Sequence, residues 1–200
     1  MKRKKLLLAT IIFFLLINTT YFWIGETGIL AMFIFILLFV SFLILAVVLI
    51  GQVYFLIKEE FKDGNRIWTV GILFFVLGSA AFFPTGIMDF EKLESESLLV
   101  AEREGTANCT TTLKLKKNKK FIEENICFGI SETKGTYRIV NDTIYFENVS
   151  LGPHESEFYE FATITKEKDF GNYSGEILRF RNSSDTTGVA LWILKNELKK

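Results

Sequence analysis

Between Gly28 and Ile57 the chain runs 30 residues without a single charged side chain. Wound as a helix rising ~1.5 Å per residue, that stretch is ~45 Å long, against a bilayer hydrocarbon layer of ~30 Å. An element apolar on every side has no place in the core of a soluble 200-residue protein. It reads as a membrane-spanning helix, and the rest of the chain is arranged around it.

Two further apolar runs flank it. The chain begins with the basic cluster Met1–Lys5, and Leu6–Trp23 then carries no charge. This start looks like a secretory signal, but the run is too long and no small-x-small site precedes Glu26, so an uncleaved first span is expected. Asn18, Thr19 and Thr20 would lie near the headgroups at its far end, with Tyr21 and Trp23 in the interfacial belt. Gly25–Gly28 is a very short connection into the second helix. That helix exceeds the bilayer, so its last turns are expected to emerge. Lys58–Arg66 forms a polar loop, and Ile67–Met88 makes a third run, ended or kinked by Pro84. Gly71, Gly78 and Ala81 fall along one face, where small residues let another helix approach.

The domain plan is therefore a three-helix membrane domain over residues 1–88, with spans near 6–24, 28–52 and 67–86. A tether follows at 89–96, then a β-domain at 97–200. Lys2–Lys5 and Lys58, Lys62 and Arg66 both fall on the cytoplasmic side if the N-terminus is inside, while the Gly25–Gly28 turn carries no basic residue. Three crossings would then place the β-domain outside the cytoplasm. No span contains Asp, Glu, Lys, Arg or His, which argues against a pump or transporter acting alone. The expected partners are the bilayer and either another membrane protein or a second copy.

After residue 96 the apolar period changes from helical to two. Eight strands are expected: Ser97–Arg103, Asn108–Lys116, Phe121–Phe128, Lys134–Val140, Thr143–Val149, Glu157–Lys166, Gly175–Arg181 and Thr187–Lys195. Regular short strands with turns between them form an antiparallel meander, and eight suffice to close a small barrel. The overall class is thus α+β. The plainest signal is Gly135–Phe146, where an Asn141-Asp142 turn pairs Ile139 with Ile144 and Tyr137 with Phe146.

Cys109 and Cys127 are the only cysteines. The hairpin Asn108–Phe128 sets them opposite one another, and an exported domain favours a disulfide over two buried thiols. That register also turns Glu123 and Asn125 to the same face as Leu113 and Leu115, and a bulge would relieve the conflict. Lys114, Lys116, Lys117, Lys119 and Lys120 read as a solvated strand end that also guards an edge. Residues 89–200 carry a slight acidic excess of 3, which argues against nucleic acid as a partner. Asn108, Asn141, Asn148, Asn172 and Asn182 each begin an Asn-x-Ser/Thr triplet. These either accept glycans in a secretory pathway or, the reading preferred here, are coincidence in a bacterial domain.

No P-loop, dinucleotide-binding glycine pattern, H-E-x-x-H or G-x-S-x-G occurs, so no catalytic residue, metal ligand or cofactor is assigned. His154 is the only histidine, in a Gly-Pro loop with no partner ligands nearby. Carboxylate pairs such as Glu123/Glu124 and Glu157/Glu160 are of the kind found on strand surfaces. The expected function is a non-enzymatic membrane protein whose outer β-domain binds a partner or a small ligand, with Tyr137, Phe146, Phe158, Phe161 and Trp192 as candidate cavity lining. The order of parts, helices and then an eight-stranded domain, resembles the membrane-tethered β-barrel effectors of cyclic-oligonucleotide antiphage systems. That resemblance implies a cytoplasmic ligand-sensing barrel that drives oligomerisation or membrane disruption, and it requires an even number of crossings.

Overall fold

A computed structural model describes residues 3–88, 90–153, 155–165 and 173–198. His154, Asn172 and part of the strand expected to end at Lys166 lie outside the described residues. The chain divides into two compact units, Met1–Trp23 with Met32–Phe90, and Ile24–Ala31 with Glu91–Lys200.

The first unit is helical: α1 (Arg3–Asn18), α2 (Thr20–Trp23), α3 (Leu30–Lys58) and α4 (Gly64–Phe82). α3 and α4 are each long and apolar enough to cross a membrane. The continuous helix expected over 6–24 is instead bent by 62° between α1 and the segment beginning at Thr20. The cause lies in three successive polar residues. Asn18 Nδ2 donates to the Phe14 carbonyl, Thr19 Oγ1 to Leu15 and Thr20 Oγ1 to Ile17, so side chains compete with the backbone ladder. α4 starts before the expected Ile67 because Asp63 caps it, accepting from the Asn65 and Arg66 amides. It stops at Phe82, ahead of Pro84.

α1 and α4 lie side by side and run in the same direction. At one end the Arg3 guanidinium meets Asp63 at 2.5 Å. At the other, Asn18 Oδ1 accepts from the Ile87 amide at 2.9 Å and Thr20 Oγ1 donates to the Thr85 carbonyl at 3.1 Å. Leu6, Phe13 and Ile17 of α1 pack with Leu73, Val76 and Leu77 of α4 and with Leu38 and Leu45 of α3. Outside this seam the helices present large apolar side chains such as Trp68, Phe74 and Phe82 outward.

The second unit is a closed antiparallel barrel of eight strands, each pairing with the next and the last returning to the first. They are β1 (Ser97–Glu104), β2 (Thr110–Lys116), β3 (Lys120–Ile126), β4 (Ile130–Val140), β5 (Thr143–Ser150), β6 (Phe161–Thr165), β7 (Glu176–Phe180) and β8 (Val189–Asn196). All eight coincide with the expected strands to within a few residues. The β4–β5 register is the expected one, with Ile139 opposite Ile144 and Tyr137 opposite Phe146. Asn141 and Asp142 take φ of 49° and 63°, as a two-residue hairpin turn demands. Inward side chains from every strand fill the lumen, among them Leu99, Leu115, Phe121, Ile144, Ile177 and Ile193. Closure leaves no strand edge to template aggregation.

Two local features depart from expectation. The connection at residues 24–31, taken as a bare turn between helices, belongs to the barrel unit, where the Gly28 amide donates to the Ile130 carbonyl at 3.1 Å. Lys116, placed by the pattern on a solvated face, is 4% exposed and ion-paired to Glu94, because the segment entering β1 covers it. The backbone there is tied down as well, with the Lys117 amide donating to the Glu96 carbonyl at 2.8 Å.

Candidate functional site

Strand alternation decides which side chains reach the barrel mouth. On β3, Phe121, Glu123 and Asn125 share the inward face; on β2, Thr111 lies on the same face as Leu113 and Leu115. The ladder runs unbroken from Thr110 opposite Ile126 to Leu115 opposite Phe121. The expected bulge is therefore not what resolves the conflict, and Glu123 is not on a strand surface. It is 4% exposed inside the barrel, met from across the ring by Arg179 of β7, itself 3% exposed. Arg179 Nη1 donates to Glu123 Oε2, and its guanidinium sits 4.2 Å over the Tyr159 ring.

Around this pair lies a continuous hydrogen-bonded network. Thr111 Oγ1 donates to Asn125 Oδ1 at 2.7 Å, and Asn125 Nδ2 donates to Glu155 Oε1 at 2.7 Å. The second Glu155 oxygen accepts from Thr133 Oγ1, which in turn accepts from the Gly152 amide at 2.8 Å. The 151–160 segment carries Glu155, Phe158 and Tyr159 into the mouth. Phe158 stacks on Phe121 at 5.1 Å and meets Phe146 edge-on at 5.3 Å, sealing the apolar lumen below. At the rim Arg181 pairs with Glu157 at 2.7 Å.

Above this seal is a cavity of about 490 Å³ whose walls include Arg103, Thr111, Glu123, Asn125, Glu155 and Arg179. The volume is that of an ordinary small-molecule site. Burial pushes the Glu123 carboxyl above its usual range; the Arg179 charge and hydrogen bond pull the other way, and the nearby Glu155 charge adds to the rise. Arg179 Nε is buried with no hydrogen-bond partner among the described residues. A buried donor left unmet costs ~1–3 kcal/mol, more on a charged group, a cost the folded barrel carries beside this cavity.

The candidate lining residues separate. Tyr137 and Phe146 are core, and the Tyr137 hydroxyl donates to the Lys116 carbonyl at 2.8 Å. Phe158 forms the cavity floor. Phe161 and Trp192 fall on the outward parity of their strands, Phe161 stacked on Phe180 at 5.0 Å and Trp192 beside Tyr173 at 5.8 Å. Cys109 and Cys127 form the disulfide, and Cys109 borders the cavity. In the helical unit, a methyl group added at Gly71 or Gly78 would meet nothing within 4 Å among the described residues, and Ala81 is exposed. Among the described residues no group of three or more His, Cys, Asp or Glu side chains is placed to hold a metal ion. Compared with known families, curated proteins and solved structures, the chain matches none.

The polar cluster was visible in the sequence only as an anomaly. Glu123 and Asn125 stood where the β2–β3 register wanted apolar groups, and their partners Arg179 and Glu155 are 56 and 30 residues further on. Arg179 shares the parity of Ile177 on β7, which is the one signal that could have found it.

Proposed function

We propose that this chain is an integral membrane protein of three spans whose barrel, held outside the cytoplasm, binds a small polar ligand at its mouth without catalysing a reaction on it. The observation that carries this reading is the cavity over the buried Arg179–Glu123 pair, walled by Arg103, Asn125 and Glu155 as well. Buried ion pairs are poor sources of stability, since desolvation offsets their attraction, so their placement beneath an open cavity points to use rather than to packing.

Three observations support the topology. α1 is matched to α4 at both ends, Arg3 at Asp63 and Asn18 at Ile87, so a membrane crossed by α4 is crossed by α1 as well. The basic residues of the N-terminus and of the 58–66 loop then share one side, as the charge rule asks of the cytoplasm. The Cys109–Cys127 disulfide suits an oxidising compartment.

The test is a pair of fusions after Lys200 in a bacterial host. Alkaline phosphatase should be active and a fluorescent protein dark. The reverse pattern would remove the exported barrel and favour a cytoplasmic sensor of the effector kind. For binding, native mass spectrometry of the detergent-solubilised chain should show a small molecule that Glu155→Gln releases.

A further inference from the structure

Charge is not mixed evenly around the cavity. In an eight-stranded ring β3 lies opposite β7, so Glu123 and Asn125 form one wall, with Glu155 bonded to Asn125 and to Thr133 of β4 on the same side. The facing arc, β7 to β8 to β1, carries Arg179, Arg181 and Arg103. Arg103 stands opposite Thr111 on the inward parity of β1. Two pairs are neutralised within the site, Arg179 with Glu123 and Arg181 with Glu157. Among the described residues Arg103 then has no acidic partner, and Glu155 accepts only from the neutral Thr133 and Asn125. The cavity is left with one unbalanced cation, Arg103, on one side and one unbalanced carboxylate, Glu155, on the other.

Resting on the reading that the mouth is a binding site, we infer that its ligand is a small zwitterion of the amino-acid type. Its carboxylate would face Arg103, and its ammonium would face Glu155. A simple anion would leave Glu155 unanswered, and a simple cation would leave Arg103 unanswered. Tyr159, already under the Arg179 guanidinium, and Phe158 supply aromatic surface for the rest of the molecule.

The probe set is the twenty free proteinogenic amino acids with their N-acetyl derivatives, which lack the ammonium, and their methyl esters, which lack the carboxylate. Each is titrated calorimetrically into the detergent-solubilised full chain. At least one free amino acid should bind, with both derivatives about tenfold weaker or worse, the loss of one charge-assisted hydrogen bond. Arg103→Gln, at an exposed position, should weaken the free amino acid by a similar factor and leave the melting temperature of the unliganded protein unchanged. Equal binding of the N-acetyl compounds would overturn the inference in favour of an anion site; equal binding of the esters would overturn it in favour of a cation site. If none of the three sets binds, the zwitterion is wrong. The mouth as a binding site survives that outcome only if native mass spectrometry still finds a bound molecule that Glu155→Gln releases.

Discussion

Glu123 and Arg179 sit where a barrel of this size normally carries aliphatic side chains. Each is tolerated only because the other is there. Replacing Arg179 with Leu strands a buried carboxyl, and the expected loss is ~3–5 kcal/mol in urea unfolding of the solubilised protein; the double variant Arg179→Leu/Glu123→Leu should recover most of it. A single variant as stable as the parent would show that the pair is solvated. The pH dependence follows from the direction of the Glu123 shift. Its carboxyl is harder to ionise folded than unfolded, so its stabilising contribution is complete below the ordinary value of 4.5 and is lost as pH rises through the raised one. Glu123→Gln, which keeps an acceptor for Arg179, should flatten that decline in a series of unfolding midpoints. Parallel curves for parent and variant would mean that Glu123 titrates as an ordinary carboxyl.

At the scale of single elements, the β4–β5 hairpin and the β2–β3 hairpin are fixed by different means. The first depends on its turn: Asn141 and Asp142 both occupy positive φ, which costs an ordinary L-residue ~1–2 kcal/mol and a β-branched one more. Asn141→Val should therefore lower stability by ~1–2 kcal/mol, read as a drop in melting temperature, whereas Asn141→Gly should be close to neutral. The second hairpin has its open end tied by the Cys109–Cys127 disulfide, spanning 18 residues. Replacing both cysteines with Ser should cost ~3 kcal/mol in the chain-entropy account, measured against the oxidised parent in denaturant. α1 is an element of another kind, since its 62° bend comes from Asn18, Thr19 and Thr20 bonding back to the helix. Those residues looked like headgroup contacts in the sequence because each has the right polarity for that too.

In the molecule as a whole, all eight strands and the buried core residues of the lumen come from residues 97–196. A fragment beginning at Phe90 should fold alone in solution, with antiparallel β-structure by circular dichroism and no titratable thiol. It should melt a little lower than the barrel in the full chain, because the Gly28–Ile130 hydrogen bond is gone. A fragment that stays unfolded would show that residues 24–31 are needed to complete the barrel. The sequence alone determined what depends on neighbours along the chain: apolar runs long enough for a bilayer, the two-residue period of eight strands, the Asn141-Asp142 turn and the hairpin that brings Cys109 to Cys127. Periodicity and turn chemistry are local, and they are written in order. The tertiary structure decided what depends on closure. Only when β8 returns to β1 do β3 and β7 face each other, turning the misplaced charge of Glu123 into one half of a pair beneath an open cavity. No spacing within a strand encodes a contact across a ring.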